Sequence, residues 1–101
     1  MSSLAFEIRL ARAQSVMVTD DTLAVDLSDG RTISVPLGWY PRLLQGKIDE
    51  RKNWRLVGQG QGIHWPDLDE DIAVEDLILG KPSGESQESL RNWQQGRASG
   101  A

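Results

Sequence analysis

The chain contains no cysteine, which excludes disulfide staples and thiolate metal centres and leaves its stability to packing and hydrogen bonding. Long apolar runs are also missing: nothing approaches the roughly 20 residues of a membrane-spanning helix. The opening MSSLAFEIRLARAQ interrupts its short apolar pattern with basic residues, unlike the continuous apolar region of a signal peptide. A cytoplasmic chain without a membrane partner is the expectation. Positive charge is in deficit, with eleven Lys and Arg against fifteen Asp and Glu and a net charge of −4. Nucleic-acid binders display basic surfaces, so no direct nucleic-acid contact is expected. An acidic chain is better matched to a basic protein surface or to cations.

Catalytic signatures are equally scarce. There is a single histidine, and neither a G-x-S-x-G elbow nor a phosphate-binding loop is present. The glycines of GQGQG, residues 58–62, lack the following lysine and helix that such a loop needs. A non-enzyme without a cofactor is expected. A chain of 101 residues buries roughly 60–65% of its unfolded surface. That is enough for one modest core and leaves little room for a deep substrate cavity.

What is present reads as an α+β fold. In SVMVTDDTLAVDLSDGRTISVPL, residues 15–37, Leu23, Val25 and Leu27 alternate with Thr22, Ala24 and Asp26. Ile33, Val35 and Leu37 alternate with Thr32, Ser34 and Pro36. Period-two alternation predicts half-buried strands, and Asp20-Asp21 and Ser28-Asp29-Gly30 supply turns, so an antiparallel three-stranded meander is expected. Pro36 lacks a ladder donor and should end the third strand.

The period then changes. Pro41 suits the first turn of a helix, with Trp39, Leu43 and Leu44 covering the sheet and Gly46 closing it. Asp49 is placed to cap a second turn over IDERKN. WRLVGQG, from Trp54, returns to extended chain as a bulged hairpin or a loop, and Ile63–Trp65 is a short strand stopped by Pro66. Val74 to Leu79 predicts a short helix with Val74, Leu77 and Ile78 inward, Gly80 at its end and the acids at 69–71 near its positive pole. The expected architecture is a small two-layer domain: a meander, a helix, further short strands and a short C-terminal helix. Trp39, Trp54 and Trp65 should supply much of the core, the alternative being an exposed anchor at Trp39-Tyr40-Pro41. Arg42, Arg51 and Arg55 are dispersed, as expected of solvated or acid-paired side chains. Residues 1–14 read as an extension, 15–80 as one domain, and 81–101 as a polar tail. Leu90 and Trp93 alone are too few to fold that tail as an isolated helix, so ordering on a partner is expected.

GIHWPDLDEDI, residues 62–72, concentrates the histidine with four acids. Asp67, Asp69 and Asp71 alternate, which suits hard cations in extended chain. A calcium loop counted from Asp67 fails, because Ile72 stands where a glycine is required and Ile78 where a glutamate is. His64 beside Asp67 or Asp69 would make an oriented base, yet no nucleophile accompanies it. In the plainest reading Ile63, Trp65, Leu68 and Ile72 enter the core while His64 and the acids stay in water.

The segments GRTISVPLGWYPRL and ERKNWRLVGQGQGIHWPDLDEDIAVEDLILG resemble a bacterial domain-of-unknown-function family. Its marks are an SDGR turn, a VPL-W-PRL segment and a GIHWP-LDEDI signature, and the likeness spans about residues 15–80. The resemblance implies a small two-layer fold and no assigned activity. It also implies genes neighbouring a small toxin-like protein, and in some members an added helix-turn-helix domain. Ala73 departs from the serine of many members and removes an expected helix cap. No stretch of helix-turn-helix length follows Gly80, so DNA binding is not carried over. The favoured expectation is an interaction module, antitoxin-like or regulatory, for a small basic protein. Its contacts would be His64, Asp67, Asp69, Glu70 and Asp71, with Leu90 and Trp93 as tail anchors. The alternative is a metal- or small-molecule-binding domain centred on His64, Asp67 and Asp69.

Overall fold

The computed structural model describes residues 11–99; the expected N-terminal extension lies outside that span as far as residue 10. Strands β1 (Ala13–Val18), β2 (Thr22–Leu27) and β3 (Thr32–Pro36) form an antiparallel sheet in the order β1-β2-β3. Val16 pairs with Val25 and Val25 with Ile33, while Val18 pairs with Leu23 and Leu23 with Val35. These rows share one face, because side chains on a strand alternate with period two. Leu23 and Val25 are fully buried. Ala11 and Ala13, expected in the extension, belong to the same core.

A single turn at Leu37–Trp39 leads into two short helices, α1 (Pro41–Gln45) and α2 (Ile48–Lys52). Pro41 starts α1 as expected. Leu43 faces the core, but Leu44 is 46% exposed. Successive helical residues are rotated by about 100°, so two adjacent leucines of one turn cannot both face the sheet. The expected cap of α2 is also different. The Glu50 carboxylate reaches back to accept the Lys47 backbone N–H at 2.9 Å, and Asp49 stays exposed.

The second sheet contains β4 (Arg55–Val57), β5 (Gly62–Trp65) and β6 (Glu70–Ala73), antiparallel in that order. The glycine-rich stretch between β4 and β5 is a tight hairpin turn. Gly60 sits there at φ +90, and a Cβ at this position would stand 2.8 Å from the Ala13 carbonyl oxygen. Only glycine fits both constraints. Strand β6 corrects the reading of residues 69–71 as the approach to a helix: Ile72 pairs with Ile63 and Asp71 with His64. Pairing along all four residues of β6 with β5 outweighs the local preference of acids for a helix start.

Helix α3 (Val74–Leu79) buries Val74 and Leu77 and half-buries Ile78. It ends at Gly80 with φ 72, whose N–H bonds the Leu77 carbonyl. Ala73 is its N-cap, with no side-chain cap bond. Ala73→Ser should therefore stabilise the protein by about 1 kcal/mol, read as a higher urea midpoint with an unchanged slope. An unchanged midpoint would mean that the pairing of β5 with β6 already satisfies the first turn.

One core unites both sheets with α1 and α3, while α2 buries no residue of its own. Trp65 and Tyr40 are buried in it, whereas Trp39 and Trp54 are half-buried at its margin. The expected polar tail contains a longer helix, α4 (Gln87–Ser99). No helix among the described residues is long and apolar enough to cross a membrane.

Candidate functional site

The β5–β6 hairpin is built to hold its acids rigidly. Trp65 is fully buried and its Nε1–H donates to the Arg51 carbonyl of α2 at 3.0 Å. Pro66 turns the chain, Leu68 drops back into the core at 0% exposure, and Asp69 takes the left-handed region at φ 50. The buried tryptophan and leucine thus fix a short loop whose polar residues face outward.

Each acid then meets a different neighbour. The Asp71 carboxylate lies 2.7 Å from His64 Nδ1, its cross-strand partner, on the outward face of the sheet, where Arg55 pairs with His64 from the other side. Asp67 accepts from the Asn53 side-chain amide at 2.9 Å. The Asp69 carbonyl accepts from Arg42 at 2.8 Å, while its carboxylate, 83% exposed, stands 3.5 Å from the same guanidinium. Asp71 is 71% exposed. His64, Asp67 and Asp69 are therefore not gathered around one point. Among the described residues no group of three or more His, Cys, Asp or Glu side chains can hold a metal ion.

Glu70 differs from its neighbours. Its Oε1 accepts the Asp71 backbone N–H at 3.0 Å, and its Oε2 is buried without a hydrogen-bond partner. A cleft of about 170 Å³ beside it is lined by Tyr40, Asp71, Asp76 and the chain at 81–84. Desolvation pushes the Glu70 carboxyl above its ordinary value, with Glu85 and Asp71 adding repulsion and the Asp71 N–H and Arg42 opposing it. In the same region burial, with Asp76 and Glu70, pushes the Tyr40 phenol up to about 12.

An acid whose folded pKa is raised penalises the fold once it ionises, so the penalty is absent below the unfolded pKa and complete above the folded one. Glu70→Gln should accordingly raise the melting temperature at neutral pH. The gain should shrink as pH falls toward about 4.5. A gain that persisted unchanged in acid would show that charge is not its cause.

Leu90 and Trp93, expected as tail anchors for a partner, lie on α4 and are half-buried, with Trp93 packed against the chain's own core. Two guanidinium groups stand over the Trp93 ring, Arg42 at 5.3 Å and Arg97 at 4.8 Å from its centroid. Arg42 also forks onto Glu85, with Nη2 at 2.6 Å from Oε2. Arg97 pairs with Glu50 at 2.9 Å and donates to the Asp67 carbonyl at 3.2 Å. Reading the sequence did not single out Glu50, Glu85 or Arg97. The one local signal was the placement of Trp93 and Arg97 one helical turn apart.

Together these features define a small α+β domain of two antiparallel three-stranded sheets carrying an acidic, outward-facing hairpin. The chain belongs to the DUF2442 family, described as proteins of unknown function, whose pattern matches residues 13–83. It is similar to a protein of unknown function from Rhodospirillum rubrum ATCC 11170, solved by crystallography, at 26% identity and a TM-score of 0.65, with 76% of this chain and 95% of that chain covered. An uncharacterised protein from Chromobacterium violaceum, solved by NMR, has a TM-score of 0.65 at 13% identity, with 88% of this chain and 82% of that chain covered. At that identity the likeness shows the fold alone. No curated protein matches the chain.

Proposed function

We propose that this chain is a protein-interaction module that engages a small basic protein through the acids of the β5–β6 hairpin, in an antitoxin-like or regulatory role. The observation that carries this reading is the rigid presentation of Asp69 and Asp71, 83% and 71% exposed, on a loop anchored by Trp65 and Leu68. Held in place beforehand, such carboxylates lose little freedom on binding. The net charge of −4 would steer a basic partner toward them. The gene neighbourhood implied by the family resemblance supports an antitoxin-like form. Asp67 and His64 flank the same surface, and Glu70 braces it from within. Trp93 already packs against the chain's own core, so with α4 docked the hairpin acids carry the contact.

The test is affinity capture from the source organism's lysate with the full chain and with Asp69→Lys/Asp71→Lys. Titration of the retained protein, once purified, follows. A basic protein bound by the native chain and weakened about tenfold or more by the double reversal, with strong salt sensitivity, is the expected result. Equal binding by both chains, or retention of no basic protein, would overturn the proposal.

A further inference from the structure

Helix α4 lies beyond the 13–83 span of the family pattern, yet it docks on that domain. Its attachment is mostly polar. None of its described side chains is fully buried, and only Leu90, Trp93 and Arg97 are half-buried. Gly96 and the shortage of apolar residues leave it weak as an isolated helix. What holds it is a shaped receptor. The Glu50 carboxylate, 16% exposed, takes Arg97 through two nitrogens at 2.9 and 3.3 Å, and the Asp67 carbonyl completes the guanidinium slot. Arg42, itself fixed by Glu85, forms the wall on which Trp93 lies.

We infer that this face is a helix-binding site for which α4 is the chain's own ligand. The occupant from a partner would be a basic helix presenting an aromatic side chain and an arginine one turn apart, as Trp93 and Arg97 do. Charge favours such an occupant, because the Glu50 carboxylate and the exposed Asp69 carboxylate border the slot. The side-chain hydrogen bonds from Arg97 hold the Glu50 carboxyl below its ordinary range, as expected of a carboxylate matched to a guanidinium. Because the linker from Gly80 to Ser86 is short, α4 acts in cis at an effective concentration on the order of millimolar. Incoming helices must outcompete it, so the contact is an autoinhibitory clasp. This deepens the interaction-module reading and rests on it for the partner, though not for the clasp.

The decisive probe is a synthetic peptide of residues 86–99, titrated into the native full chain, Trp93→Ala/Arg97→Ala, and that variant with Glu50→Lys added. Circular dichroism checks that each is folded. The peptide should bind the unlatched double variant roughly tenfold or more tightly than the native chain, and Glu50→Lys should abolish the gain. Equal affinity for all three, or no binding to the unlatched chain, would overturn the site. Hydrogen exchange gives a second readout that needs no variant. Amides of α4 should lose protection between about 50 mM and about 1 M salt while those of β2 and β5 keep it. Unchanged protection of α4 would overturn the polar clasp. Neither assay needs the native partner, so capture failing while the peptide binds would defeat the interaction-module reading alone. Any captured basic protein should prefer the unlatched chain, and weaker binding there would overturn α4 as a competitor.

Discussion

Trp65→Ala should lower the unfolding free energy by about 3–5 kcal/mol and the melting temperature by more than about 12 °C. Trp65 is the largest of the fully buried side chains. Its loss leaves a cavity between the second sheet and α2, because close-packed neighbours relax only partly. It also removes the N–H that satisfies the Arg51 carbonyl at 3.0 Å, the bond that ties the hairpin to α2. A domain of this kind has about 5–15 kcal/mol in total, so the variant should be partly unfolded at physiological temperature. Trp65→Phe keeps most of the apolar volume and should lose less than half as much. Thermal and urea unfolding followed by circular dichroism measure both. A melting point within about 4 °C of the native value, equivalent to roughly 1 kcal/mol, would mean that the hairpin does not depend on this anchor.

The second large effect belongs to Arg42. Its guanidinium places Nε 2.9 Å from each Glu85 oxygen and Nη2 at 2.6 Å from Oε2, donates to the Asp69 carbonyl at 2.8 Å, and lies over Trp93. The two side chains are only 16% and 9% exposed. Arg42→Ala strands a nearly buried carboxylate, and the expected loss is on the order of 3 kcal/mol. Adding Glu85→Gln should recover part of it, because the stranded charge is then gone. Lysine cannot fork onto both oxygens and should rescue poorly.

The pH dependence of the pair has a definite sign. Arg42 hydrogen bonds hold the Glu85 carboxyl below the ordinary carboxylate range, outweighing its desolvation. A depressed carboxyl contributes stability that is present above the unfolded pKa and is lost as pH falls through the folded one. The gap between native protein and Arg42→Ala should therefore be widest near neutrality and narrow below about pH 4.5. A gap that stayed constant into acid would show that packing of the arginine stem, rather than its charge, carries the effect. Glu50 follows the same sign through Arg97, while Glu70 runs the opposite way.

The meander was legible because two strands alternate cleanly and their turns carry Asp and Gly. Pro41 and Gly80 likewise marked a helix start and a helix end by their own backbone preferences. Strand β6 was not legible. Acids followed by Ile72 satisfy the approach to a helix as well as they satisfy a strand, and only the proximity of β5 separates the two. Asp67, Asp69 and Asp71 of the motif face outward as expected, whereas Glu70 turns one carboxylate oxygen into the protein. Their neighbours were not visible, since Asn53, Arg42 and Arg97 come from three separate segments of the chain. Leu44 and Asp49 show the same limit on a smaller scale. Both have the right chemistry, and a one-residue rotation decides which side chain does the work.

By itself the sequence determined the fold class, the first sheet, the inward residues of the hairpin, and the absence of thiolate chemistry. These follow from periodicity and composition, which act between near neighbours. Only the tertiary structure decided that Asp71 meets His64 while Asp67 and Asp69 do not. It alone showed that Glu70 keeps a buried, unpartnered oxygen and that both Arg42 and Arg97 meet the Trp93 ring. Those outcomes depend on charges and rings brought together from distant parts of the chain. Their energies depend on a distance and a degree of burial that no local pattern encodes.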